Sequence, residues 1–322
     1  MKAAVIYKKG DLPQYADVDE PVISNEDELL ITMKAAAIKH IDKSVAGGKH
    51  YSSEDKKNAR VIGGDGVGVL KDGTRVFAMG VTGMIAEKAV IEKNRMIKLP
   101  NGIDDNIAAA LPNAVAGSAM ALRFRAAMKK GEIVLINGAT GFTGKIAVQI
   151  AKHYGAKKIF VTGRNEKSLQ SLLSLGADEA ISVKQSDENF AAQIKAIHNS
   201  TPIDVIIDYL WGQTAELILS SLKGKGTFTH RTRFVSIGAV TGDKIQLSAE
   251  VLRSVNLQLS GSGLGSWTKD EMQELFSEII PEMFQLAADN KLKVETVNVN
   301  LKDIEKLWEM EVPDGKRLVV RM

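Results

Sequence analysis

Two hydrophobic rhythms divide the chain. Up to about Pro100, short apolar runs alternate with polar positions and are punctuated by glycine: "MKAAVIY", "ELLITMKAAAI", "RVIGGDGVGVL", "GTRVFAMG" and "EKAVIEKNRMIKLP". Runs of this kind predict strands, so the first part of the chain is expected to be a β-rich domain, a twisted barrel. From Glu132 the runs become almost wholly apolar, as in "EIVLIN", "KKIFVTG", "EAISV", "IDVIIDYL" and "RFVSIG", with helical segments between them. Apolar strands alternating with helices at roughly 25 to 30 residues per unit predict parallel βαβ crossovers. Beyond "NLQLSGSG", a helical stretch from Lys269 to Asp289 leads to "KLKVETVNV", a helix-like "LKDIEKLWEM" and a last strand "KRLVVRM". That final portion reads as a return to the first domain. The expected boundaries are 1–112 and 262–322 for the β-rich domain and 113–261 for an α/β domain inserted into it.

Composition narrows the function classes. A chain of 322 residues is long enough for two domains, and 44% apolar with 25% charged residues is ordinary for a globular protein. The net charge is only +3, and the basic pairs are scattered rather than gathered into a stripe, so no nucleic-acid partner is expected. The absence of cysteine removes disulfides, thiolate zinc sites and a cysteine nucleophile together. Any metal would need histidine and carboxylate ligands, and His40, His50, His153, His198 and His230 show no spacing that would build a zinc site. No metal is expected. The N-terminal apolar run is too short for a signal peptide, which predicts a cytoplasmic protein. The stretch Ile107 to Leu122, with Pro112 and Asn113 inside it, is too short and alanine-rich to span a bilayer, so no membrane segment is expected.

The chemistry concentrates in "VLINGATGFTGKIAVQIAKHYGA", where Gly138, Gly141 and Gly144 sit between a strand and an amphipathic helix. Small residues there let the backbone turn tightly and approach a pyrophosphate at the helix N-terminus, where N–H groups and the dipole favour an anion. The residues expected to meet it are Gly141, Phe142, Thr143 and Gly144. A nucleoside triphosphate loop is excluded: its first glycine would fall at Ala139, and Ile146 occupies the place of the magnesium-binding hydroxyl. About 20 residues beyond the turn, where a carboxylate would bind the ribose of NAD, the chain has Gly163-Arg164 with Lys167 close behind. A guanidinium and an ammonium suit a 2′-phosphate, which points to NADPH; the plain alternative is a solvated arginine at a strand end.

The turn "NGATGFTG" after a whole β-rich segment, with "AAALP" before it and "GKIAVQIAKHYGA" after it, resembles the medium-chain dehydrogenase/reductase superfamily, and within it the zinc-free quinone oxidoreductase branch. "ELLITMKAAAIKHID", "GGDGVGV", "GTRVFAMG" and "SLLSLGADEAI" extend the resemblance over nearly the whole chain. Extended short-chain reductases also use a "GATGF" turn, but near their N-terminus. The resemblance implies an α/β fold: a Rossmann-type doubly wound parallel sheet inserted into a β-rich, GroES-like catalytic domain. It also implies that zinc-dependent relatives hold their metal at the places corresponding to "AIKHID" and "GGDG", where this chain has no cysteine. Tyr51 resembles the tyrosine of the family's G-x-Y element and is the first candidate to hydrogen-bond a substrate carbonyl, an exposed loop tyrosine being the alternative. Lys39 stands where relatives usually carry asparagine, and Ser118 near the place of a threonine beside the nicotinamide. His40 and Asp42 rank below Tyr51, with Asp42 read as capping a short helical turn that Gly47 and Gly48 end. Gly238 and Ala239 fall where the nicotinamide end of the cofactor should pass, or else form a simple strand-end turn. The expected activity is NADPH-dependent, zinc-independent hydride transfer to a quinone or α,β-unsaturated carbonyl compound by a homodimer. A catalytically silent NADPH-binding structural or regulatory protein is the alternative.

Overall fold

The computed structural model describes residues 1–8, 10–48 and 59–322. They form two compact units, Met1–Asn113 with Phe276–Met322, and Ala114–Leu275.

The first unit opens with β1 (Lys2–Ile6), β2 (Gln14–Asp17), β3 (Glu28–Ile38), α1 (His40–Ala46), β4 (Arg60–Val61), β5 (Asp65–Val69), β6 (Arg75–Gly80) and β7 (Lys88–Lys98). The long β3 organises it. Thr32 pairs with both Val69 of β5 and Lys88 of β7, so those strands lie on opposite edges of β3. Since β5 pairs with β6 and β6 with β7, the four strands close into a ring that leaves no edge among them. Ile31, Met33, Val76 and Ile91 fill one cluster of its core. Helix α2 (Asp105–Met120) carries the chain from one unit to the other, with Pro112 inside it.

The second unit is a six-stranded parallel sheet in the order β10-β9-β8-β11-β12-β13. Its elements are β8 (Ile133–Asn137), α3 (Phe142–His153), β9 (Lys158–Gly163), α4 (Glu166–Leu173), β10 (Glu179–Ser182), α5 (Asp187–Ser200), β11 (Val205–Asp208), α6 (Gly212–Ser221), β12 (Thr232–Ser236), α7 (Ala249–Ser254) and β13 (Leu257–Gly261). All five residues of β8 are buried, as its unbroken apolar run requires for a strand covered on both faces. Phe160, Phe190 and Phe234 anchor a core with Ile194, Ile206 and Leu219. The chain builds outward from β8 to β10, then jumps back to β11 on the other side. The switch point, beyond the carboxyl ends of β8 and β11, is where such sheets bind ligands.

The predicted helix from Lys269 to Asp289 is broken into α8 (Lys269–Glu274), a π-helical turn over Leu275–Ile279, and α9 (Ile280–Ala288). The units part at this break, after Leu275 rather than at the expected Gly261. Ion pairs from Arg123 to Glu274 and from Arg125 to Glu271 tie α8 to the π-helical Ala121–Arg125 of the second unit. The chain then returns to the first unit: β14 (Thr296–Asn300) pairs with β15 (Arg317–Arg321), and β15 pairs with β3 on the edge shared with β7. One reading needs correction. The helix running from Asp105 to Arg125 is long and apolar enough to cross a membrane, so length does not exclude it; 67% of its apolar window is buried inside the protein, as in a core helix.

Candidate cofactor site

The turn after β8 gives each of its glycines a different task. Gly138 has φ +82°, a conformation that L side chains rarely adopt, and a Cβ there would lie 2.7 Å from Leu210 Cγ. Gly144, inside α3, packs so closely on the turn that a Cβ would stand 2.5 Å from Ala139 Cα. Gly141, the N-cap of α3, faces open space, with nothing within 4 Å of the Cβ it lacks. A tight turn, an open backbone approach and a close helix contact together make a shape that fits a pyrophosphate at the start of a 12-residue helix. Phe142 is buried and Thr143 half-buried.

At the end of β9, Gly163 is equally constrained, because a Cβ would lie 2.4 Å from Thr140 Cγ2. Arg164 and Lys167 follow on the exposed start of α4, which Asn165 caps by accepting the Ser168 N–H at 2.9 Å. Among the described residues, neither cation has a hydrogen-bond or ion-pair partner. Gly238 follows β12; its N–H reaches the Asp208 carbonyl at 3.3 Å, and a Cβ would stand 2.7 Å from the Tyr209 carbonyl oxygen, while Ala239 beside it is exposed. A second feature at the switch point has no motif in the sequence: Asn137, Thr162 and Asp208, all fully buried, link the ends of β8, β9 and β11. Asn137 Nδ2 donates to Asp208 Oδ1 at 2.7 Å, and the Thr162 hydroxyl donates to Asn137 Oδ1 at 2.5 Å. Burial pushes the Asp208 carboxyl above its ordinary range, against the pull of the N–H groups of Leu210, Asn137 and Trp211. Three polar residues in separate apolar strands carry no local pattern; the only trace is that each ends a run that is otherwise apolar.

A sequence profile described as zinc-binding dehydrogenase matches residues 143–281. Quinone oxidoreductase from Sus scrofa is 29% identical over 287 residues, which cover 85% of this chain and 84% of the relative. Among solved structures, a mycobacterial quinone oxidoreductase matches over the full length of both chains with a TM-score of 0.84 at 20% identity. Quinone oxidoreductase from Thermus thermophilus, crystallised alone and with NADPH, also matches over full length, with a TM-score of 0.80 at 24% identity. In sequence the chain is similar to quinone oxidoreductases over most of its length, and it shares the fold of the solved ones.

The profile's mention of zinc does not reach the places where metal-dependent members of the superfamily hold it, since both precede residue 143. In this chain those places form an ion-pair cluster instead. Lys39, at 3% exposure, is the N-cap of α1; its Nζ lies 2.7 Å from Asp65 Oδ1, 3.1 Å from Asp42 Oδ2 and 3.4 Å from the Ala37 carbonyl. Burial drives the Lys39 ammonium toward the neutral form, and the two carboxylates outweigh it, holding its pKa above lysine's ordinary value. An ammonium has three donors, and three acceptors surround this one, so Lys39 is an internal counter-ion with no donor left for a substrate. Asp42 also accepts the Lys39 backbone N–H at 2.8 Å, closing the start of α1, and Gly47 caps its end. His40 is exposed on the first residue of α1. Ser118 is fully buried, 2.9 Å from the Tyr209 hydroxyl and 2.8 Å from the Ala114 carbonyl, to which it donates, so its role is to tie α2 to the segment after β11. Among the described residues, no three His, Asp or Glu side chains converge as metal ligands would. Tyr51 lies outside the described residues; in the sequence Lys49 and His50 separate it from Gly48, one residue more than the G-x-Y element has.

Proposed function

We propose that this protein is an NADPH-dependent, zinc-independent reductase that transfers hydride to a quinone or an α,β-unsaturated carbonyl compound, working as a homodimer in the cytoplasm. The observation that carries the reading is the pairing, at one switch point, of an open glycine turn on a helix N-terminus with two unpartnered cations at the end of the next strand. The turn from Gly138 to Gly144 and the N-terminus of α3 would hold the pyrophosphate. Arg164 would make two charge-assisted hydrogen bonds to the 2′-phosphate and Lys167 would add a point charge. Gly238 and Ala239, where any larger residue at 238 would meet the Tyr209 backbone, would leave room along the nicotinamide end. When bound, the dihydronicotinamide supplies the hydride. Tyr51 would donate a hydrogen bond to the substrate oxygen on which negative charge develops, lowering the barrier there. The quinone oxidoreductases of known sequence that resemble the chain over most of its length support the substrate class.

The test is incubation of the purified protein with NADPH and a panel of quinones and enones, followed at the reduced cofactor's absorbance. Loss of absorbance that depends on an acceptor and is much weaker with NADH is expected. Tight NADPH binding without turnover of any acceptor would instead identify a cofactor-binding protein without reductase activity.

A further inference from the structure

We propose that Thr162, Asn137 and Asp208 are positioning residues that hold the glycine turn in its cofactor-binding shape, through a buried hydrogen-bond relay between the turn and the strained loop after β11. The proposal rests on the reading that this turn holds a dinucleotide.

The relay has one direction. The Gly138 N–H donates to Thr162 Oγ1 at 3.1 Å, the Thr162 hydroxyl donates to Asn137 Oδ1, and Asn137 Nδ2 donates to Asp208 Oδ1. Asp208 is the terminal acceptor, taking also the N–H groups of Leu210 on Oδ1 and Trp211 on Oδ2, each at 3.0 Å. Trp211 needs that hold. Its φ of +58° with ψ of −156° is a conformation that essentially only glycine adopts freely, and such outliers persist only where their surroundings over-determine them. Its carbonyl is held as well, accepting the Thr241 hydroxyl at 3.0 Å. The consequence reaches back to the turn, because this loop sets Leu210 against the α-carbon of Gly138, where a Cβ would lie 2.7 Å from Leu210 Cγ. Gly138 is therefore located twice, by its N–H through Thr162 and by its bare face through Leu210, and both constraints converge on Asp208. Fully buried polar groups that served only to fill space would be matched by apolar residues of the same shape, which need no partners.

The experiment compares Thr162→Val, which keeps the shape and loses the hydroxyl, with Thr162→Ser, which keeps the hydroxyl, and adds Asp208→Asn. Dissociation constants for NADPH and NADH are measured by quenching of protein fluorescence, alongside the thermal midpoint and the split of KM against kcat. The pyrophosphate is common to both cofactors, so Thr162→Val and Asp208→Asn should weaken both by the same factor, ten-fold or more. KM for NADPH should rise with kcat changed less than two-fold, and Thr162→Ser should restore wild-type binding. If the valine variant lowers the thermal midpoint but leaves both dissociation constants unchanged, the relay is structural only and the proposal falls. Should Asp208→Asn not fold, the valine and serine pair decides alone. A wild-type protein that binds neither cofactor would overturn the reading of the turn itself, which sets that failure apart from failure of the relay.

Discussion

Replacing Arg164 with alanine tests the choice of cofactor with the fewest side effects. The guanidinium is exposed at the end of β9 and has no partner among the described residues, so its removal breaks no internal bond and the thermal midpoint should hold. A hydrogen bond to a charged group contributes about 1.5 to 3 kcal/mol, and solvent screening at an exposed site favours the lower part of that range. A loss of about 1.5 to 2 kcal/mol corresponds to NADPH binding weakened roughly 12- to 30-fold. NADH offers no 2′-phosphate, so its affinity should stay within about two-fold, well under the 1.4 kcal/mol of a ten-fold change. The difference between the cofactors should also shrink as salt is raised, because the contact is electrostatic and accessible to solvent. The assay is titration of wild type and variant with each cofactor at low and high ionic strength. Equal losses for the two cofactors, or a wild-type preference for NADH, would refute the assignment of Arg164 to the 2′-phosphate.

Lys39→Met should destabilise the first unit by about 3 to 5 kcal/mol in urea denaturation, because it removes the cation that contacts both Asp65 and Asp42 and leaves only Arg317 to offset their charge. The double variant Lys39→Met, Asp65→Leu should recover much of that loss, and a single variant as stable as wild type would show that the pair is not needed. Tyr51→Phe should lower kcat by about 100-fold or more while leaving the dissociation constant for NADPH unchanged, measured by steady-state kinetics and titration. His198 accepts the Ile203 N–H on Nδ1 at 3.1 Å, and burial, with the neighbouring His230, holds its pKa below 6.5. It therefore stays neutral in the folded protein while the unfolded chain takes up a proton, so its contribution, present above about pH 6.5, is lost as pH falls through that value toward the folded pKa. Stability curves of wild type and His198→Gln across that window should differ in slope, and parallel curves would count against this reading. Light scattering at micromolar concentration should show a dimer, joined through the edge strand β13, on which Leu259 is exposed, and Leu259→Lys should shift it toward monomer.

Periodicity alone was enough to read the succession of elements, because strands buried on both faces and helices buried on one leave different local signatures. "EIVLIN" is β8 and "KRLVVRM" contains β15. The glycine turn was legible for the same reason: a glycine needed for a positive φ, an open face or a tight contact is a requirement of the backbone, and the backbone's needs show in the residue type. Even so, which glycine served which need emerged only when Leu210 and Ala139 were found facing Gly138 and Gly144. The break at Leu275 was hidden, since Arg123 and Arg125 meet Glu274 and Glu271 across some 150 residues of chain. The polar residues carried the largest surprise. Lys39, which stands where relatives usually carry asparagine, is the buried partner of two carboxylates, one of them 26 residues away. Asn137, Thr162 and Asp208 ended three apolar strands without forming a motif, because a hydrogen-bond network is defined by the direction and distance of donors and acceptors that only the parallel register of β9, β8 and β11 brings together. The sequence by itself determined which segments are buried and where the backbone must bend, since both are local demands on residue type. Only the tertiary structure decided which buried polar groups meet, since that depends on neighbours far away in the chain.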